Sequence, residues 1–134
     1  MNKGKLIIDC VINTSYPRNA NKLKKLTEIP LNEFNQNVNV HLGGYFNVMQ
    51  RFIVYFLGNG GGNIINISSI HGVSTPKFEN YEGTAMMSGI EYTISKTAII
   101  AMSRYSAKYL KGKNIRINCV SPGGIIDGQP SSFL

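Results

Sequence analysis

Two kinds of apolar pattern alternate along the chain. "KLIIDCVIN" (5–13) is an almost uninterrupted apolar run with β-branched residues. It predicts a strand buried on both faces, as in a parallel sheet. Residues 14–30 show little pattern and carry Pro17 and Pro30 as breakers, which reads as a loop. From 31 to 57 the pattern turns helical: Leu42, Phe46, Met49, Ile53 and Phe56 fall near helical spacing, with Asn32 and Glu33 as a start signal. "GNGGG" (58–62) stops that helix. "NIINISS" (63–69) is a second strand of the buried type, and 70–89 is a loop with Pro76 and three glycines. A second helix is predicted over 90–111, closed by Gly112. "NIRINCVSP" (114–122) is a third strand, ended by Pro122 and two glycines, and the tail that follows has no clear element.

Strand, helix, strand, helix, strand implies right-handed crossovers and a parallel α/β sheet in three layers. Gly60 and Gly62 do not form a dinucleotide loop in this reading. A phosphate-binding turn runs from strand to glycines to helix, whereas here the order is helix, glycines, strand. The run reads as a flexible connection.

Composition narrows the class without changing the architecture. Apolar residues are 43% and charged residues 16% of 134, a globular balance with enough length for one core. The apolar helical stretch at 42–57 is short for a bilayer span and contains Gln50 and Arg51, so no membrane role is expected. Asp9 interrupts the short apolar run at the amino end, which argues against a signal peptide and for a cytoplasmic protein. Cys10 and Cys119 lie in apolar, β-rich runs and read as buried free thiols. No Cys/His spacing suggests a metal. The net charge of +7 comes from scattered lysines, and neither a helix-turn-helix nor an aromatic RNA-reading motif is present, so no nucleic-acid partner is expected.

"EYTISKTAII" (91–100) carries the candidate chemistry. Tyr92 and Lys96 stand one turn apart on one helical face. A phenol titrates near ~10 and is a poor base at neutral pH, and a neighbouring cation favours its phenolate. Such a tyrosine can give or take a proton at an alcohol or carbonyl oxygen. Ser69, at the carboxyl end of a strand, is well placed to hold the same oxygen, because open parallel sheets build their sites at that edge.

"NIINISSIHG", "YTISK" and "IRINCVSPGGI", in that order and on those elements, resemble the short-chain dehydrogenase/reductase family over essentially the whole chain. The resemblance implies a partial doubly wound parallel sheet of the Rossmann-like type, with residues 1–134 forming a single partial domain. The family's first three strands, its glycine-rich turn and its final strand are missing. It implies NAD or NADP as cofactor at an incomplete site, and a small-molecule alcohol or carbonyl as substrate. Tyr92 matches the catalytic acid/base, Lys96 its partner and a ligand of the nicotinamide ribose, and Ser69 the substrate-orienting serine, with Ser68 as competitor. Asn13 matches the first asparagine of an Asn-Asn-Ala-Gly strand end, from which Thr14, Ser15 and Tyr16 depart. Pro122, Gly123 and Ile125 fall in the segment that holds the nicotinamide carboxamide. The family's fourth catalytic residue is a helical asparagine; aligning "GYF" puts His41 there, with Asn39 two residues earlier.

In the family, helices matching 31–57 and 90–111 form the dimer interface, so a homo- or hetero-oligomer is expected. The loop between Ser69 and Tyr92 is longer than typical. A related version occurs in members linked to bacterial surface-sugar and flagellin modification, which gives an expected substrate class; Glu79 and Glu82 are loop carboxylates that would meet polar hydroxyls. With the nucleotide-binding half missing, the chain alone is expected to have little or no dehydrogenase activity. A noncatalytic protein pairing with a full-length subunit is the alternative.

Overall fold

The structure, a computed structural model, describes residues 7–17, 24–84, 87–126 and 128. Strand β1 (Cys10–Asn13), helix α1 (Leu31–Gly58), strand β2 (Gly62–Ile67), helix α2 (Ile90–Tyr109) and strand β3 (Ile115–Val120) follow the predicted order. Short 3-10 turns occur at Leu26–Glu28, Ile70–Gly72 and Phe78–Tyr81. β1 is shorter than the apolar run suggested: residues 7–9 are not strand, and 1–6 lie outside the described residues. No described helix is long and apolar enough to cross a membrane.

The sheet is parallel throughout, in the order β1-β2-β3. Because the spatial order follows the chain order, both right-handed crossovers run the same way and both helices fall on one face. The described residues therefore form two layers, not the three expected. One row across the sheet is Val11, Ile64 and Ile117, which face the helices; the next row on that face is Asn13, Asn66 and Cys119. Ile64 and Ile117 pack with Met49 and Phe56 of α1, Leu110 after α2, and Ile115. On the opposite face Ile12 is 58% and Val120 47% exposed, so the expectation of burial on both faces fails. No helix among the described residues covers that side. Cys10, on that uncovered face, is exposed, and Cys119, in the helix-facing row, is only half-buried, which corrects the expectation of two buried thiols.

Helix α1 begins where Pro30 accepts the first helical bond from the Phe34 N–H, with Glu33 in the first turn held by Lys24 at 2.7 Å. Its buried stripe is His41, Tyr45, Met49 and Phe56. Of the positions expected there, Met49 and Phe56 join the core and Ile53 packs against it. Leu42 and Phe46 instead line a groove of about 530 Å³ with Phe34, Val38, Ala98 and Met102. A helix turns 100° per residue, so 42 and 46 sit one step around from 41 and 45.

The glycine run is a connector, but a tightly packed one. Gly60 and Gly61 have φ of 88° and 122°, a region unfavourable to residues with a Cβ. A Cβ at Gly62 would enter the Phe56 ring, and one at Gly61 the Asn114 backbone.

Candidate active site

The carboxyl ends of the three strands lie at one edge, and backbone bonds tie two of them together. Ser68 N–H donates to the Val120 carbonyl at 2.7 Å, and Ile70 N–H to the Pro122 carbonyl at 2.9 Å. The first turns of α2 approach the same edge. The Ser68 hydroxyl donates to the Lys96 carbonyl at 2.7 Å, and the Thr97 hydroxyl to the Gly72 carbonyl at 3.1 Å. Gly72 makes this approach feasible: a Cβ there would stand 2.7 Å from Ser68 Oγ and 2.9 Å from the Lys96 carbonyl. Gly72→Ala is therefore expected to cost about 2 kcal/mol by overpacking, read by urea unfolding; an unchanged midpoint would show that the turn yields freely.

Lys96 is 4% exposed. Its ammonium donates to the Ile67 carbonyl at 2.8 Å and lies 5.6 Å from the Tyr92 ring centroid and 5.3 Å from that of Tyr45. Burial lowers its pKa, because the charged form loses water; Cys119 opposes that shift. Tyr45 is fully buried and its hydroxyl donates to the same Ile67 carbonyl at 2.8 Å. Burial first, then Cys119 and Tyr92, push the Tyr45 phenol up to about 12.

His41 is 6% exposed and packs edgewise against Tyr16 (5.3 Å between centroids), with Tyr45 at 5.8 Å and Tyr92 at 6.2 Å. Its Nε2 is buried without a hydrogen-bond partner among the described residues. Burial, then the charge of Lys96, lower its pKa to about 4. The Tyr16 ring stands at 5.6 Å from Tyr92 and nearly perpendicular to it, and His71 approaches Tyr92 at 6.4 Å.

Among the residues predicted from sequence, Tyr92, Lys96 and His41 form one cluster. Ser69 is 7% exposed on the adjoining strand end, where its oxygen accepts the His71 N–H at 3.1 Å. Ser68 is turned to the Lys96 backbone. Asn13 is 3% exposed and accepts from Ser15 N–H at 3.2 Å, while its Nδ2 has no partner among the described residues. Beside it in the same row, Asn66 donates to Ser103 Oγ at 2.9 Å, and Ser103 passes a bond to the Ile99 carbonyl at 2.7 Å. Pro122 is half-buried; Gly123 and Ile125 are exposed on the segment after β3. Asn39 lies apart, lining the outer groove. Glu79 and Glu82 are exposed. Tyr45 was missed: an aromatic with a polar tip, four residues after His41 on the buried stripe, was the available signal.

A family model described as enoyl-(acyl carrier protein) reductase matches residues 7–130. The post-translational flagellin modification protein A of Campylobacter coli is 42% identical over 128 residues, covering 95% of this chain and 50% of that protein. The 3-oxoacyl-[acyl-carrier-protein] reductase FabG of Thermotoga maritima is 38% identical over 89 residues, 66% of this chain and 32% of that one. A short chain dehydrogenase from Leptospira borgpetersenii, solved with bound NAD+, superposes with a TM-score of 0.81 at 33% identity, covering 93% of this chain and 46% of that one. The chain thus spans about half or less of the length of these relatives.

Proposed function

The chain belongs to the short-chain dehydrogenase/reductase family, and on that premise we propose that it carries the acid/base half of an NAD(P)-dependent oxidoreductase interconverting an alcohol and a carbonyl. The observation that carries the reading is the Lys96 ammonium, buried against the Tyr92 ring and anchored at the end of β2 beside Ser69. The residues suit the nicotinamide end of such a cofactor. Asn13 Nδ2 and His41 Nε2 are buried at the strand-end edge without partners among the described residues, and polar atoms so placed favour a polar ligand. Lys96 would hold the nicotinamide ribose, and the segment from Pro122 through Gly123 to Ile125 the carboxamide. When bound, the nicotinamide exchanges a hydride with the substrate carbon.

Tyr92 gives its phenolic proton to the substrate oxygen in reduction and takes it back in oxidation. Ser69 already accepts the His71 N–H, so its own O–H is left to donate to that oxygen. Lys96 favours the phenolate left behind. His41 stands on the proton path: its contact with the Tyr92 ring supports it over Asn39, and its neutral ring at working pH offers an acceptor nitrogen. The resemblance to a flagellin modification protein supports a substrate from that chemistry. The apolar groove of Phe34, Val38, Leu42, Phe46, Ala98 and Met102 supports oligomerisation through α1 and α2. The free thiols Cys10 and Cys119 suit the reducing cytoplasm.

The test purifies the protein from its own host and follows NADH and NADPH binding and oxidation with carbonyl compounds, beside the 134-residue polypeptide alone. Turnover by the natural protein is expected, and failure to bind either nucleotide would sink the reading. The polypeptide alone is expected to show little turnover, since no helix among its described residues covers one face of the sheet; equal rates would refute that part.

A further inference from the structure

Two donors converge on one backbone oxygen at the heart of this site. The Ile67 carbonyl accepts the Tyr45 hydroxyl and the Lys96 ammonium, each at 2.8 Å. A carbonyl has two lone pairs, and a buried one left without a donor is costly. A lysine whose only anchor were that oxygen would be held back by it whenever a ligand called for the ammonium.

We propose that Tyr45 is a positioning residue that releases Lys96: because its hydroxyl keeps the Ile67 carbonyl satisfied, Lys96 can turn from that oxygen to a bound nucleotide. The proposal rests on the reading of Lys96 as a ribose ligand. Tyr45 is suited to it in two ways. Its ring lies under the ammonium, so the cation keeps a favourable face through a small swing. Its full burial pins the hydroxyl on its acceptor, and a phenol pushed up to about 12 stays a donor at every working pH. Lys96 makes no ion pair among the described residues that would hold it in place. The Ile67 oxygen is thus a parking place, shared so that leaving it is cheap.

Tyr45→Phe keeps the ring and removes the donor. In the full natural protein it is expected to weaken NADH or NADPH binding by about tenfold, since Lys96 must then abandon a buried carbonyl to reach the ribose. In a Lys96→Met background the same change is expected to leave affinity unaltered. Equal losses in both backgrounds would mark a structural effect and overturn the proposal, as would no loss in the Lys96 protein. If Lys96→Met alone does not weaken binding, Lys96 is not a nucleotide ligand and both readings fall. A measurement without any variant guards against misfolding: with Ile67 labelled at its carbonyl carbon, nucleotide is expected to shift that NMR signal as one donor leaves. A signal that stays put while nucleotide binds would overturn the release.

Discussion

Tyr92→Phe is expected to lower turnover by about a thousandfold, within the range that general acid–base groups contribute. The substitution removes one oxygen and little else. The ring keeps its place near the Lys96 ammonium, its edge contact with Tyr16 and its tilted contact with His41, so the fold and the cation's surroundings persist. What goes is the only proton that the clustered ring can hand to a substrate oxygen. Ser69 can still orient that oxygen, but a serine hydroxyl is too weak an acid to replace a phenol beside a cation. The check is steady-state turnover beside a thermal unfolding curve: a large fall in rate with an unchanged midpoint is expected. A rate within tenfold of the parent protein would remove Tyr92 from the acid/base role.

Acid is expected to unfold the protein earlier than its few carboxylates would require, and His41 is the cause. Its pKa lies at about 4 in the folded chain against 6.5 for a free imidazole. Between those values the unfolded chain takes up a proton that the folded chain refuses. Stability from this residue is therefore complete above pH 6.5 and is lost as pH falls toward 4; the shift corresponds to about 3 kcal/mol. The physical origin is burial first, then the Lys96 charge, for an imidazolium there would stand dry beside an ammonium. His41→Asn removes the titrating group while keeping a polar side chain that can hydrogen-bond. Urea unfolding over this pH range should show a shallower dependence in the variant. Identical slopes would mean that another group governs acid unfolding.

Much of this fold was legible because its punctuation is strong. Pro30, the glycines at 60–62 and Gly112 mark ends that the structure keeps within a few residues. The Tyr92–Lys96 pair was legible because helical spacing alone stacks the two side chains. The layer count was not. An apolar run such as "LIIDCVIN" cannot say whether a second layer covers it, and Ile12 is in fact open among the described residues. Nor was the reach of Tyr45. Its acceptor lies 22 residues away, on a strand end brought under the helix only by packing at Met49 and Phe56. The Cys10 thiol was misjudged for a similar reason: it points to the face left uncovered among the described residues, and strand periodicity does not reveal which face that is.

The Asn66–Ser103 bond has a further consequence for accuracy of assembly. Strand side chains alternate sides, so sliding β2 by one residue would present Ile65 or Ile67 to α2 in place of Asn66. Ser103 would then lose its donor, and an amide would be thrown out onto the opposite face. A slip that an all-isoleucine strand would tolerate is thereby penalised, and the penalty falls three residues ahead of Ser69. One hidden amide works as an indexing pin: it sets the seating depth of the strand, and with it which carbonyl meets the lysine.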